Sequence, residues 1–195
     1  MVIHLRNQIM AAALEEINNF GIKFTMSALV KRLSISKSTL YAHFKSKEEV
    51  IGAIVDLALA SLRQQRQDIL NNNTLNVSEK LKALLIAHPP MDVSMRFMLD
   101  LKRQLPEEWN KIQQQRDEKW ESIEALITQG VETGYFRAVD AVDLTILRII
   151  YDATVKELMD QSFFVNNSLS FVDSMHRIAD ILCQGIMKTN SEGKA

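Results

Sequence analysis

Residues 36–47 carry the densest set of side chains able to do recognition chemistry: Ser36, Lys37, Ser38, Thr39, Tyr41, His43, Lys45 and Lys47. Hydroxyls both donate and accept hydrogen bonds, while ammonium groups only donate and bring a positive charge. A hydroxyl is a weak discriminator of base edges because it accepts many partners. Lys37 can reach a guanine edge or a phosphate, and the phenol of Tyr41 suits a phosphate oxygen. Lys47 falls in the first turn of a helix, where cations are disfavoured unless an anion faces them. Together the groups point to a polar, anionic partner rather than to bond-making chemistry. Plainer roles exist for several of them: Tyr41 as a half-buried surface aromatic, His43 as packing over the first helix, Lys45 and Lys47 as a solvated basic rim.

The elements that must hold these groups are short helices. Residues 21–51 read as two short helices meeting at a tight turn, followed by a longer one. That is the layout that lays one helix across a DNA backbone and the next in the major groove. Helix 1 runs from about Leu5 to Asn19, with Ile9, Ala13, Ile17 and Phe20 at helical spacing, and Gly21 stops it. Thr25 caps helix 2, which buries Leu29 and reaches Leu33. Ser36 caps helix 3, whose Leu40 and Phe44 point inward and leave Lys37, Ser38 and Tyr41 outside. Ser46 followed by Glu49 is a capping box for helix 4, which continues towards Leu70.

Beyond a polar loop at Asn71–Asn76, the periodicity predicts helices at about 77–87, 92–104, 106 to 130 or 134, 139–161 and 171–188. Pro89 and Pro90 break the series, and Pro106 suits the first turn of a helix. The expected architecture is all-α with about nine helices. Residues 1–46 form a three-helix DNA-binding domain, joined through helix 4 to a helical sensing and dimerisation domain over 47–195.

Composition narrows the classes. Of 195 residues, 47% are hydrophobic, enough for a core, and net charge is −1. Residues 1–50 hold seven Lys/Arg against four Asp/Glu, so positive charge gathers at the front while the remainder is acidic. Arg6 is the sole strong cation ahead of or early in helix 1, which argues against a long basic arm in the minor groove. Cys183 stands alone, so no internal disulfide forms, and its plain reading is a buried apolar residue. His4, His43, His88 and His176 are scattered without ligand spacing. No metal, cofactor, phosphate cradle or enzyme activity is expected. With no long apolar run, a cytoplasmic protein is expected.

On these residues the front of the chain resembles the TetR family of bacterial transcriptional repressors. The resemblance rests on Ala12-Ala13-Leu14, Gly21, Phe24-Thr25, Leu29, Ile35-Ser36-Lys37-Ser38-Thr39-Leu40-Tyr41, His43-Phe44 and Lys45-Ser46-Lys47-Glu48-Glu49-Val50. It departs at Val30, where the family usually has Ala, and at Leu33-Ser34, where it often has Ala-Gly. Ser34 then either costs energy in a left-handed turn or marks a different turn. The resemblance implies DNA-facing roles for Thr25, Ser36, Lys37, Ser38, Thr39, Tyr41, His43 and Lys47.

It resembles the family more faintly at Gly130 to Arg137 followed by Asp140. That implies a homodimer through the last two helices, whose apolar positions include Leu144, Leu147, Tyr151, Val155, Met175, Ile178 and Leu182. Two reading helices would then meet half-sites of a palindromic operator about 34–36 Å apart. Met91, Met95, Phe97, Met98 and Trp109 suggest a soft lining for a small, apolar or amphipathic effector, with Arg96 facing an acidic group or pairing with Asp92 or Asp100. Ordinary core packing explains the same stripe. A DNA-binding regulator that activates or lacks an effector, and a helical protein-interaction adaptor without DNA binding, are the competing classes.

Overall fold

The computed structural model describes residues 2–89, 91, 94–159 and 170–187. The fold is all-α, with nine α-helices among the described residues: α1 Val2–Phe20, α2 Met26–Leu33, α3 Lys37–His43, α4 Lys47–Asn71, α5 Val77–Ile86, α6 Met95–Gln104, α7 Pro106–Glu132, α8 Ala141–Leu158 and α9 Phe171–Ile186. A 3₁₀ turn, Gly21–Lys23, links α1 to α2. The predicted starts at residue 92 and ends at 161 and 188 lie outside the described residues.

The chain divides into two compact units. The first takes Met1–Ser61 and Pro89–Gln113; the second takes Leu62–His88 and Gln114–Ala195. The chain crosses between them three times, within α4, at His88–Pro89 and within α7.

In the first unit the predicted inward positions are inside: Ile9, Ala13, Ile17, Leu29, Leu40 and Phe44 are fully buried. Phe20, expected to continue the helix 1 stripe, is instead 56% exposed, because the chain leaves the helix there for the 3₁₀ turn. Arg32 of α2 reaches back to α1, pairing with Glu15 at 2.5 Å and Glu16 at 2.6 Å.

Helix α2 closes in a Schellman arrangement. Ser34 donates to Lys31 O, and Ile35 donates to Val30 O at 3.2 Å. Ser34 has φ 53° and ψ 38°, so the left-handed turn is made without glycine. The geometry is therefore the ordinary one, and the serine bears its cost. The box at α4 also departs from expectation. Glu49 N–H donates to Ser46 Oγ at 3.2 Å, but the Glu49 carboxylate accepts from the Lys45 N–H, one residue earlier than a standard box, at 2.6 Å.

Helix α6 belongs to this same unit. Asp100 accepts from Ile22 N–H at 3.4 Å, and a Cβ on Gly21 would stand 2.8 Å from Asp100 Oδ2 and 3.0 Å from Arg96 Nε. Gly21 has φ +67°, a backbone that favours a residue without Cβ, while the crowding itself comes from the movable ends of Asp100 and Arg96.

The second unit builds its core from α5, α7, α8 and α9, around Leu81, Leu84, Trp120, Ile123, Ile127 and Met175. Asn76 and Glu79 form a complete capping box at α5. Helix α7 ends where Phe136 folds back over Gly130 so closely that a Cβ would fall 2.0 Å from its ring. Phe136 forms an isolated antiparallel bridge with Met187, and Arg137 N–H donates to Ile186 O at 2.9 Å.

Candidate nucleic-acid interface

Each predicted DNA-facing residue falls at or near the start of α2 or α4 or along α3. Thr25 caps α2, its hydroxyl accepting from Ala28 N–H at 3.2 Å. Ser36 does the same for α3, accepting from Thr39 N–H at 3.0 Å. Lys37 and Ser38 are exposed, Thr39 is half-buried, and Tyr41 is 48% exposed. Because Leu40 and Phe44 point inward, Lys37 and Tyr41, four apart, share the outward face.

Ser36 Oγ also lies 2.7 Å from Ser38 Oγ and 2.7 Å from Thr39 Oγ1. The three hydroxyls thus form one hydrogen-bonded set on the outer surface.

His43 is half-buried at the end of α3, and its carbonyl accepts from Arg6 Nη1 at 2.8 Å. The Arg6 guanidinium also sits 4.0 Å above the Phe44 ring. The arginine read from sequence as a lone N-terminal cation therefore ties α1 to the far end of α3, a role visible only once the chain has folded. Lys47 opens α4 beside Glu48, whose carboxyl is held below the ordinary range by its own main-chain N–H, then by Ser46 and Lys47.

The residues assigned to an effector all fall in the first unit. Phe97 is buried, Met91, Met95, Met98 and Trp109 are half-buried, and Arg96 is exposed beside Gly21. Lys102 Nζ stands 5.7 Å from the Trp109 ring. A cleft of about 590 Å³ occurs elsewhere, in the second unit, and none of those six residues lines it. Ile69, Ala83, Ile86 and Ala87 line it together with Gln65, Lys82, His88 and His176. These come from α4, from α5 with the residues just after it, and from α9 far along the chain, so no local motif marks them.

The residues assigned to a dimer face point the other way from an open surface. Tyr151 and Met175 are buried in the second unit's own core, and Leu144, Leu147, Val155, Ile178 and Leu182 pack against it. The opposite stripe is the exposed one: Val142, Ile146, Ile149 and Ile150 on α8 and Ile181 on α9, with Ile149 61% and Ile181 67% exposed. The α8 sequence is apolar on both faces, so periodicity does not choose between them.

Polar groups in this unit, Tyr151 buried and Lys119 and Gln65 partly so, close the end of α5. Tyr151 donates to Leu85 O at 2.8 Å, Lys119 donates to Ala87 O at 3.1 Å and to Tyr151 Oη at 2.7 Å, and Gln65 donates to His88 O at 3.2 Å. Burial pushes the Lys119 ammonium down to about 7 despite nearby Asp152, and holds the Tyr151 phenol well above its ordinary value.

Residues 9–54 match the family model for bacterial regulatory proteins of the tetR family. The match spans α1 to α3 and the start of α4, the region that carries the hydroxyl-rich helix. The front of the chain belongs to the TetR family of transcriptional regulators.

Along most of its length it is 29% identical, over 181 residues, to the uncharacterized HTH-type transcriptional regulator YvaF of Bacillus subtilis (strain 168), covering 92% of this chain and 94% of that protein. Solved structures share the fold. The ketosteroid transcriptional regulator KstR2 of Mycobacterium tuberculosis superposes with a TM-score of 0.65 at 20% identity, over 94% of this chain and 95% of that one. The TetR family regulator PfmR from Thermus thermophilus gives 0.65 at 23% identity, over 92% and 99%. No helix among the described residues is long and apolar enough to cross a membrane. No group of three or more His, Cys, Asp or Glu among them is arranged to hold a metal ion.

Proposed function

We propose that this TetR-family regulator is a cytoplasmic homodimeric repressor that binds a palindromic operator and is released by a small apolar or amphipathic effector. The observation that carries the reading is α3. It turns Lys37, Ser38 and Tyr41 outward from a fully buried Leu40 and Phe44 within the matched region. Residues 1–46 act as the DNA-binding domain, and 47–195 supply sensing and dimerisation. Thr25, Lys37, Tyr41, His43 and Lys47 set position on the phosphate backbone, and Ser38 and Thr39 read base edges.

In this reading the dimer is built by pairing α8 and α9 with their copies. The stripe Val142, Ile146, Ile149, Ile150 and Ile181 is the better candidate for that contact, because the seven residues first assigned are already used inside the protomer. Release of DNA is a population shift carried along α4. The seat of α6 on Gly21 offers a second lever, since it presses on the joint between α1 and α2.

Gel shift and footprinting of the regulator on its own upstream DNA, over a salt series, test the reading. A protected, roughly palindromic site with steep salt dependence is expected. Tyr41→Phe should weaken every operator similarly, whereas substitution of Ser38 or Thr39 should change preference. A folded protein that protects no site in a genome-wide selection would overturn the reading.

A further inference from the structure

Ser36 stands between the two hydroxyls assigned to base reading, and proton counting limits what those two can offer. A hydroxyl has one proton to donate and two lone pairs to accept with. One lone pair of Ser36 Oγ takes the Thr39 N–H at 3.0 Å. The remaining lone pair and the proton are left for Ser38 Oγ and Thr39 Oγ1, each 2.7 Å away. One of these hydroxyls must therefore donate to Ser36, and the other must accept from it.

The hydroxyl that donates inward has spent its proton and faces outward as an acceptor only. The one that accepts inward keeps its own proton and can donate outward. Reversing the relay exchanges the two roles but not the total. While the set is intact, the pair presents one outward donor, never two.

We infer that Ser36 is a specificity-determining residue of the reading helix. Its relay fits Ser38 and Thr39 to a base edge with one acceptor and one donor, as adenine presents through N7 and N6–H₂. It works against guanine, which presents two acceptors through N7 and O6. Giving guanine a second donor means breaking a hydrogen bond of the relay at an interface from which water is excluded. The expected discrimination at the contacted position is on the order of tenfold. The inference rests on the reading that Ser38 and Thr39 face bases.

The test is selection from a randomised duplex pool followed by affinity measurements with wild type, S36G, S38A and T39V. Glycine is a tolerated cap that costs a helix far less than alanine does, so S36G should fold, and a circular dichroism melt checks it. S36G frees both hydroxyls to donate, so guanine should gain about tenfold relative to adenine at the contacted position. In wild type, S38A and T39V should be non-additive, and in the S36G background the same pair should become additive. An unchanged ranking in S36G, with only a uniform loss of affinity, would make Ser36 a helix cap alone and overturn the inference. Additivity of S38A and T39V in wild type would overturn it too. If wild type selects no sequence, or if S38A and T39V both leave its ranking untouched, the underlying DNA reading fails before Ser36 is varied.

Discussion

The helix starts of the first unit and the end of α5 in the second are closed in opposite ways. Thr25 finds Ala28, Ser36 finds Thr39, and Ser46 finds Glu49, each partner three residues along. The carbonyls at the end of α5 are met instead by Tyr151, Lys119 and Gln65, which are 66, 32 and 23 residues away. A local cap forms with its own helix and sits in water, so it is replaceable and of modest worth. A distant cap exists only in the folded unit, is wholly or partly buried, and through Lys119 ties stability to the state of an ionisable group. The recognition surface is thus built from parts that close themselves, while the second unit depends on agreement between remote segments. Arg6 on His43 O and Asp100 on Ile22 N–H are the first unit's departures of this kind described above.

The largest effect expected from this contrast is on pH dependence. Lys119 titrates near 7 when folded and near 10.5 when unfolded. Above pH 7 the unfolded chain holds the additional proton, so stability contributed by this site rises with pH and is lowest below 7. Between pH 7 and 9 wild type should gain about 2 kcal/mol relative to Lys119→Met, read from urea midpoints at each pH. Parallel curves would mean the lysine is not buried in this way. Next comes Tyr151→Phe, which leaves Leu85 O without its donor and should cost about 1–2 kcal/mol at fixed pH. Thr25→Ala should cost about 1 kcal/mol by the same measurement, with no change in its pH profile. Should the Thr25 variant prove costlier than the Tyr151 one, the contrast between local and distant caps would be lost. Smallest is Ser34→Gly, which should stabilise by a few tenths of a kcal/mol, since relief of the left-handed strain is partly offset by a looser unfolded chain.

The same distinction explains how much could be read before folding. Caps at Thr25 and Ser36 and the inward pair Leu40 and Phe44 are local patterns, and all are in place. Even at Ser34 one backbone rule narrows the choice to two outcomes. What failed to show were relations across the chain. Nothing near Arg6 announces His43, and nothing near Arg96 announces Gly21. On α8 the apolar residues go all round, and the inner face is settled by Tyr151 meeting Leu85 O, not by spacing. That is why Val142, Ile146 and Ile149 are outside while Leu144 and Leu147 pack inward. The cleft lined by Ile69, Ile86 and His176 was illegible for the same reason.

The residues after α7 hold one more consequence. Arg137 grips the last turn of α9 through its main-chain N–H on Ile186 O and its Nε on Gly185 O at 3.1 Å, while its Nη1 reaches Ala138 O and Asp143. A rod fastened at one end can swing but cannot slide. Travel of α9 along its own axis would break both main-chain hydrogen bonds to Arg137, whereas a small rotation about that anchor would keep them. Any partner surface laid along Ile181 would meet a ruler whose zero mark is fixed, and would sense angle rather than length.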